Sequence, residues 1–504
     1  MNRRAFLGLA AVTGVATAVG GDATTPSAPP SPAQWAWLAA TLRGRLVRPG
    51  ARTYPVDKLL YDPRFDALAP AAIAFCATPT DVARVIAFAR THGVELAVRA
   101  GGHSYAGYSS GTGRLVIDVT PMAGVVAAPR PGGVARVGAG ARLVDVYNTL
   151  GHAGQLVPAG SCPTVGVGGL ALGGGVGVFS RRYGLTSDQV TALTIVTADG
   201  AVRRVSPAND PALYWACRGG GGGNFGVVTQ LELATHAIPT ITLFTYEYPW
   251  GAAHDVLGAW QRWTEALDPA VWSNCQLLTG AGSRTVRVAG VACAPVSQTA
   301  AWLAPLLRQA RPLGPGFLGG DAYLRTMMVE AGCAALTVAA CHLDTHPPGA
   351  LSRDPFEASS SYVARPMGDA RLSAVVSVVD ALASELPALG GGLVFDALGG
   401  AVNAVAPAAT AFVHRSFLAS IQSSFTWSSS TPSTEIQGGR RWLARVRSAV
   451  YDATTGAYQN YIDPTLPSWP RAYYGENLPR LSRVKASYDP DGVFRFAQSI
   501  PPAP

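Results

Sequence analysis

Apolar and polar residues alternate in short runs through the first half of the chain, and the runs end in glycine. Val94, Leu96 and Val98 predict a strand that runs into Gly101-Gly102. Before it, Thr78-Pro79-Thr80-Asp81 supplies a helix N-cap, a proline at the first helical position and a first-turn acid. Val82, Val85, Ile86 and Ala89 fall on one face of that helix, and Gly93 ends it. Leu115–Val119 and Val134–Val137 read as strands, Leu143–Leu150 as a helix, and Leu156-Val157 as a strand entering a second glycine-rich turn. Ala192–Thr197 and Ala201–Val205 flank Asp199-Gly200, a hairpin signal. Pro211 opens a helix through Cys217; then come Gly219–Gly223, Asn224-Phe225-Gly226 and a strand over Val227–Leu233. Consecutive glycines do not make a packed helix, and the patterned elements on both sides argue against a linker. They predict backbone lying close against a planar ligand.

From Ile241 the texture changes to longer elements. Strands are predicted at Thr242–Tyr248, Asn274–Leu278, Arg284–Cys293, Leu393–Leu398 and Ala411–Gln422, with helices at Asp255–Leu267 and Val296–Leu307. The expected class is α+β. Its units are a leader at 1–34, a first domain at 35–240, and a second at 241–445 with an antiparallel sheet and helices on one side. A tail, 446–504, returns to the first domain. No internal repeat is present.

Composition narrows the function classes. With 504 residues, 48% hydrophobic and 14% charged, the chain can bury a large core. A net charge of +8 without a Lys/Arg run longer than an Arg pair does not suit nucleic acid. Arg3-Arg4 before Phe6-Leu7 and a short apolar run ending near Ala16-Thr17-Ala18 read as a twin-arginine export signal. The run is shorter than the roughly 20 residues of a membrane span, so no stable membrane anchor is expected. That route exports proteins already folded around a cofactor. Seven cysteines allow disulfides in an exported protein, but their spacing fixes no pairing. Cys341-His342 with His346 reads as an ordinary loop rather than a metal site, so no metal is expected.

The candidate chemistry sits in the two glycine-rich turns. Arg99-Ala100-Gly101-Gly102-His103-Ser104-Tyr105 presents a histidine, and Gly160-Ser161-Cys162-Pro163-Thr164-Val165-Gly166-Val167-Gly168-Gly169 presents a cysteine, with Gly174 beyond. Two nucleophiles at the lips of such turns suit a large anionic cofactor held by covalent bonds. Gly107-Tyr108-Ser109-Ser110-Gly111 matches a serine-hydrolase elbow, but a strand rather than a helix is predicted after it, so that reading fails. Near the C-terminus stand Tyr458-Gln459-Asn460-Tyr461 and the run Tyr473-Tyr474-Gly475-Glu476-Asn477 to Tyr488-Asp489-Pro490-Asp491-Gly492.

Together these stretches resemble the berberine bridge enzyme-like FAD-linked oxidases, over roughly residues 60–240 and 410–502. The resemblance implies a two-subdomain PCMH-type FAD-binding domain joined to a substrate domain. It also implies FAD held twice, through His103 to the 8α-methyl and through Cys162 to C6 of the flavin. Arg99 through Gly102, Ser104, Tyr105, Val165, Gly166, Gly168, Gly169, Gly174, Gly223, Asn224, Gly226, Val228, Asn460 and Asn477 are the further cofactor-binding residues expected. Val165 matches a position on the oxygen approach and is consistent with O2 as acceptor. Tyr458 or Tyr461 would be the catalytic base, given a cation or strong donors to stabilise a phenolate. Gln422 would bond the substrate oxygen or the basic tyrosine. Ser420 stands where some relatives carry an activating Lys, and His414 reads as structural. The implied activity is oxidation of a hydroxyl-bearing carbon of a sugar or natural product, with H2O2 as co-product. The alternatives are ring closure or C–C/C–N oxidation in biosynthesis, and a non-catalytic carbohydrate-binding role. No oligomeric state follows from the sequence.

Overall fold

The computed structural model of the protein describes residues 29–280 and 283–504; the expected export signal lies outside the described residues. Helix Pro32–Thr41 begins inside the expected leader. Ser31 and Gln34 form a capping box there, and Trp35 and Leu38 are buried, so local capping and apolar burial outweigh the Pro/Ser-rich composition.

Three parallel strands, Ala72–Phe75, Leu115–Asp118 and Leu96–Arg99, form the first small sheet, with Arg45–Val47 antiparallel at one edge. Helix Pro79–His92 connects two of them as the sequence predicts, capped by Thr78 and Asp81 and closed by Gly93 at φ 63°. A second, antiparallel sheet runs in the order Val125–Val126, Val134–Gly138, Val227–Ala234, Val190–Val196, Val202–Val205. Both sheets share one core with helix Leu143–His152 and with the tail residues Tyr473, Tyr474, Leu481, Val484, Phe494 and Ile500.

The third sheet has eight antiparallel strands. Its centre is Val271–Gly280 beside Gly390–Ala397, flanked by Ser283–Ala292 and Ala419–Thr426. Strand alternation divides its side chains. Cys275, Leu277, Val286, Phe395 and Ile421 are buried in one cluster with Trp260, Val379 and Trp442 of the helices Ala253–Glu265, Asp369–Glu385 and Ser433–Val450. Asn274, Gln276, Arg287, Asp396 and Gln422, on the opposite set of positions, line a cavity against the first domain. Thr454–Thr455 pairs with Phe356–Val363, so the sheet extends past the expected boundary at 445.

One expected strand differs. Residues 411–418 are not extended into the sheet, which starts again at Ala419. The segment crosses to the first domain instead. Phe412 N–H donates to Arg218 O at 3.2 Å, and the buried Arg415 guanidinium holds both carboxylate oxygens of Asp188 at 2.7 and 2.8 Å. His414 is structural, as expected: it is buried, 3.1 Å from Tyr473 O and stacked on Tyr362. Residues 107–111 lie in turns that lead to the strand at Leu115, without the helix an elbow requires. Cys333 and Cys341 form a disulfide, and His342 Nε2 lies 3.1 Å from Asp145 Oδ2. Among the described residues, no helix is long and apolar enough to cross a membrane.

Candidate active site

The two glycine-rich turns meet back to back. A Cβ on Gly101 would lie 2.2 Å from Gly166 N, and one on Gly166 would lie 2.4 Å from Gly101 N. Only glycine allows that approach. The Arg142 guanidinium spans the junction, donating to Ala100 O at 3.4 Å and Thr164 O at 3.2 Å. His103 and Cys162 thereby converge on one hydroxyl: Thr164 Oγ1 is 2.9 Å from His103 Nε2 and 4.0 Å from Cys162 Sγ. Tyr61 stacks on the imidazole with centroids 4.1 Å apart. Burial, helped by Arg142, pulls the His103 pKa down to about 3, so the ring is neutral and nucleophilic. Burial pushes the Cys162 thiol up, against hydrogen bonds from Thr164 and Val165 and the charge of Arg142.

From these turns a cavity of about 590 Å³ runs to the polar face of the eight-stranded sheet. Its walls fit a flat dinucleotide. A Cβ on Gly169 would meet nothing within 4 Å, so there the backbone lies open to a ligand, and Gly222 and Gly223 border the same space. The buried Gln459 Oε1 has no partner, and the Gln459 side chain borders the same space. The two nucleophiles open onto it as well.

The cavity is also bordered by acid–base groups. Tyr458 Oη accepts from Gly175 N at 2.9 Å, Val176 N at 3.2 Å and Asn460 Nδ2 at 2.8 Å. Consecutive N–H groups make an anion-binding nest, and three donors match the three lone pairs of a phenolate better than the two of a phenol. Burial still raises the Tyr458 pKa, with these donors opposing it. Gln422 Nε2 donates to Tyr105 Oη at 2.8 Å rather than to Tyr458, and Tyr105 stacks on Tyr461 with an interplanar angle of 4°. Across the cavity, Arg287 donates to Gln276 Oε1 at 3.1 and 2.7 Å, and Gln276 Nε2 donates to Asn274 Oδ1 at 3.1 Å. Asn274 in turn hydrogen-bonds Asp396. Burial lifts the Asp396 carboxyl to about 7. Glu330, at the end of helix Tyr323–Glu330, is lifted to about 7 by burial and by Asp396, with Arg287 opposing.

Of the site residues singled out in the sequence, all but Arg99, Gly174, Asn224 and Asn477 border this cavity. Arg99 is buried against Asp118 and donates to Asp57 O at 2.8 Å, so it braces the strand beneath the turn. A Cβ on Gly174 would strike the Phe412 ring at 2.8 Å, so this glycine makes room for packing. Asn224 bonds Gly220 O and Ile500 N, and its carbonyl accepts from the buried Lys485 Nζ at 2.6 Å, tying the tail to the glycine run. Asn477 Nδ2 donates to Pro407 O and Thr410 O. Sequence reasoning missed Tyr61, Arg142, Asn274, Gln276, Arg287, Glu330 and Asp396. The only signal for the strand residues among them was a polar side chain at alternate positions of otherwise apolar runs.

Comparison with known proteins supplies the family. The family described as FAD binding domain matches residues 70–206, and the one described as berberine and berberine like matches residues 457–501. An uncharacterized FAD-linked oxidoreductase of Bacillus subtilis is 32% identical over 86% of this chain and 91% of its own. Chitooligosaccharide oxidase of Gibberella zeae is 31% identical over 90% of this chain and 91% of its own. The solved structure of Physcomitrella patens BBE-like 1 superposes with a TM-score of 0.84 at 29% identity, covering 93% of this chain and 99% of that one. With the two locked turns, the tail tied to the glycine run and a cavity suited to the cofactor, the chain belongs to the berberine bridge enzyme-like family of FAD-linked oxidoreductases.

Proposed function

We propose that the protein is an exported oxidase that holds FAD by two covalent bonds, through His103 and Cys162, and oxidises a hydroxyl-bearing carbon of an oligosaccharide, returning electrons to O2 as H2O2. The observation that carries this reading is the single cavity joining both nucleophiles to the polar sheet face. Asn274, Gln276, Arg287 and Gln422 offer the hydrogen-bonding surface that a sugar's hydroxyls need, and the similarity to a chitooligosaccharide oxidase supports the same class. FAD, when bound, supplies the hydride acceptor.

The chain supplies the rest. Tyr458 takes the proton of the substrate hydroxyl as one of the three donors on its oxygen, the N–H groups of Gly175 and Val176 and the Asn460 amide, gives way, and the other two stabilise the phenolate. Asp396, with a carboxyl near neutrality, keeps the site able to accept charge at physiological pH. Val165 borders the cavity beside the Cys162 turn, where a side chain of modest size leaves room for O2. The test is peroxide release on a panel of oligosaccharides, with aromatic and polyketide alcohols as the alternative class. Turnover of oligosaccharides supports the reading; turnover confined to the second class, or ring closure without peroxide, overturns it.

A further inference from the structure

We infer that Thr164 is the positioning residue for the histidyl tether, fixing His103 in the tautomer whose Nδ1 is free to bond; this rests on the bicovalent reading above. Its buried hydroxyl lies 2.9 Å from His103 Nε2 and 4.0 Å from Cys162 Sγ. A hydroxyl has one proton and two lone pairs. Accepting from Nε2–H and turning its proton toward the sulfur satisfies both neighbours at once. Donating to Nε2 instead would place the imidazole proton on Nδ1 and remove the lone pair the bond requires. Tyr61, stacked at 4.1 Å and 20°, fixes the ring plane, so Thr164 has only the tautomer left to decide.

The linkage balances as follows. An Nδ1–C bond forms at the 8α carbon, while one methyl C–H and the imidazole Nε2–H are lost. The two electrons and two protons pass to O2, giving H2O2. Thr164 Oγ1 accepts the hydrogen bond of that Nε2–H, which keeps the Nδ1 lone pair free for the bond; once Nδ1 is alkylated the acidified Nε2 proton passes to solvent. In the same geometry its proton faces the cysteine sulfur at 4.0 Å.

The test compares acid-precipitated protein for retained flavin fluorescence and for the mass of flavinylated peptides. Native flavin content and melting temperature serve as checks on folding. Thr164→Val should lose the histidyl linkage and keep the cysteinyl one, and Thr164→Val with Cys162→Ala should release its flavin on denaturation. Thr164→Ser with Cys162→Ala restores a hydroxyl and should retain it. Full retention in the Val/Ala double variant, or equal loss from the Ser/Ala one, overturns the inference. Wild-type protein that releases all its flavin in acid overturns the bicovalent reading instead.

Discussion

At the scale of single residues, the proposed base and the groups that set the pH range are different side chains. Tyr458→Phe removes the phenol but not its ring packing, and should lower kcat by roughly 10²–10⁴ with a smaller change in KM, as for a positioned base. Steady-state kinetics check this, and turnover within a few-fold of wild type would pass the role to another group. Burial lifts both Asp396 and Glu330 to about 7, so kcat/KM should rise as pH passes through about 7; Asp396→Asn should remove its share of that limb and lower the pKa of Glu330, which the Asp396 charge helps to raise. Stability has the opposite sign. The unfolded carboxyl loses its proton near about pH 4, whereas the folded one keeps it to about 7. The contribution is present at low pH and is lost as pH rises through that window, and Asp396→Asn should flatten the change in melting temperature.

At the scale of elements, the turns were the legible part and the substrate sheet was not. Gly101 and Gly166 announce themselves because a close backbone approach permits glycine alone, and His103 and Cys162 because each is a nucleophile at the lip of such a turn. The helix at Pro79–His92 was equally plain, since its cap, face and stop are all local. Asp396 and Asn274 were hidden. Each is an ordinary polar position in a strand, and only the register that sets Asn274 opposite Asp396 brings them together. Residues 411–418 misled because an apolar run reads as a strand wherever it packs, and here it packs across the domains. Gly101→Ala would put a methyl 2.2 Å from Gly166 N, where neither backbone can yield cheaply. It should abolish flavin attachment and lower the melting temperature. Gly251→Ala, whose Cβ would meet nothing within 4 Å, should do neither. Flavin absorbance of denatured protein checks both.

At the scale of the whole molecule, the cavity exists only while the two domains stay in place. Arg181 holds them from the first domain by donating to three carbonyls of the second: Val271 O at 2.6 Å, Leu267 O at 2.7 Å and Leu398 O. Arg181→Met leaves those buried acceptors unpaired and should cost about 3 kcal/mol or more in denaturant unfolding. Arg445→Met breaks only an exposed pair with Glu385 and should leave the unfolding midpoint almost unchanged. The central claim, that one cofactor is held at two points where the turns meet, is tested most directly by denaturing four proteins in acid and measuring the flavin that stays bound. Wild type, His103→Ala and Cys162→Ala should each retain covalent flavin, and the double variant should release all of it. Release from either single variant would contradict the claim.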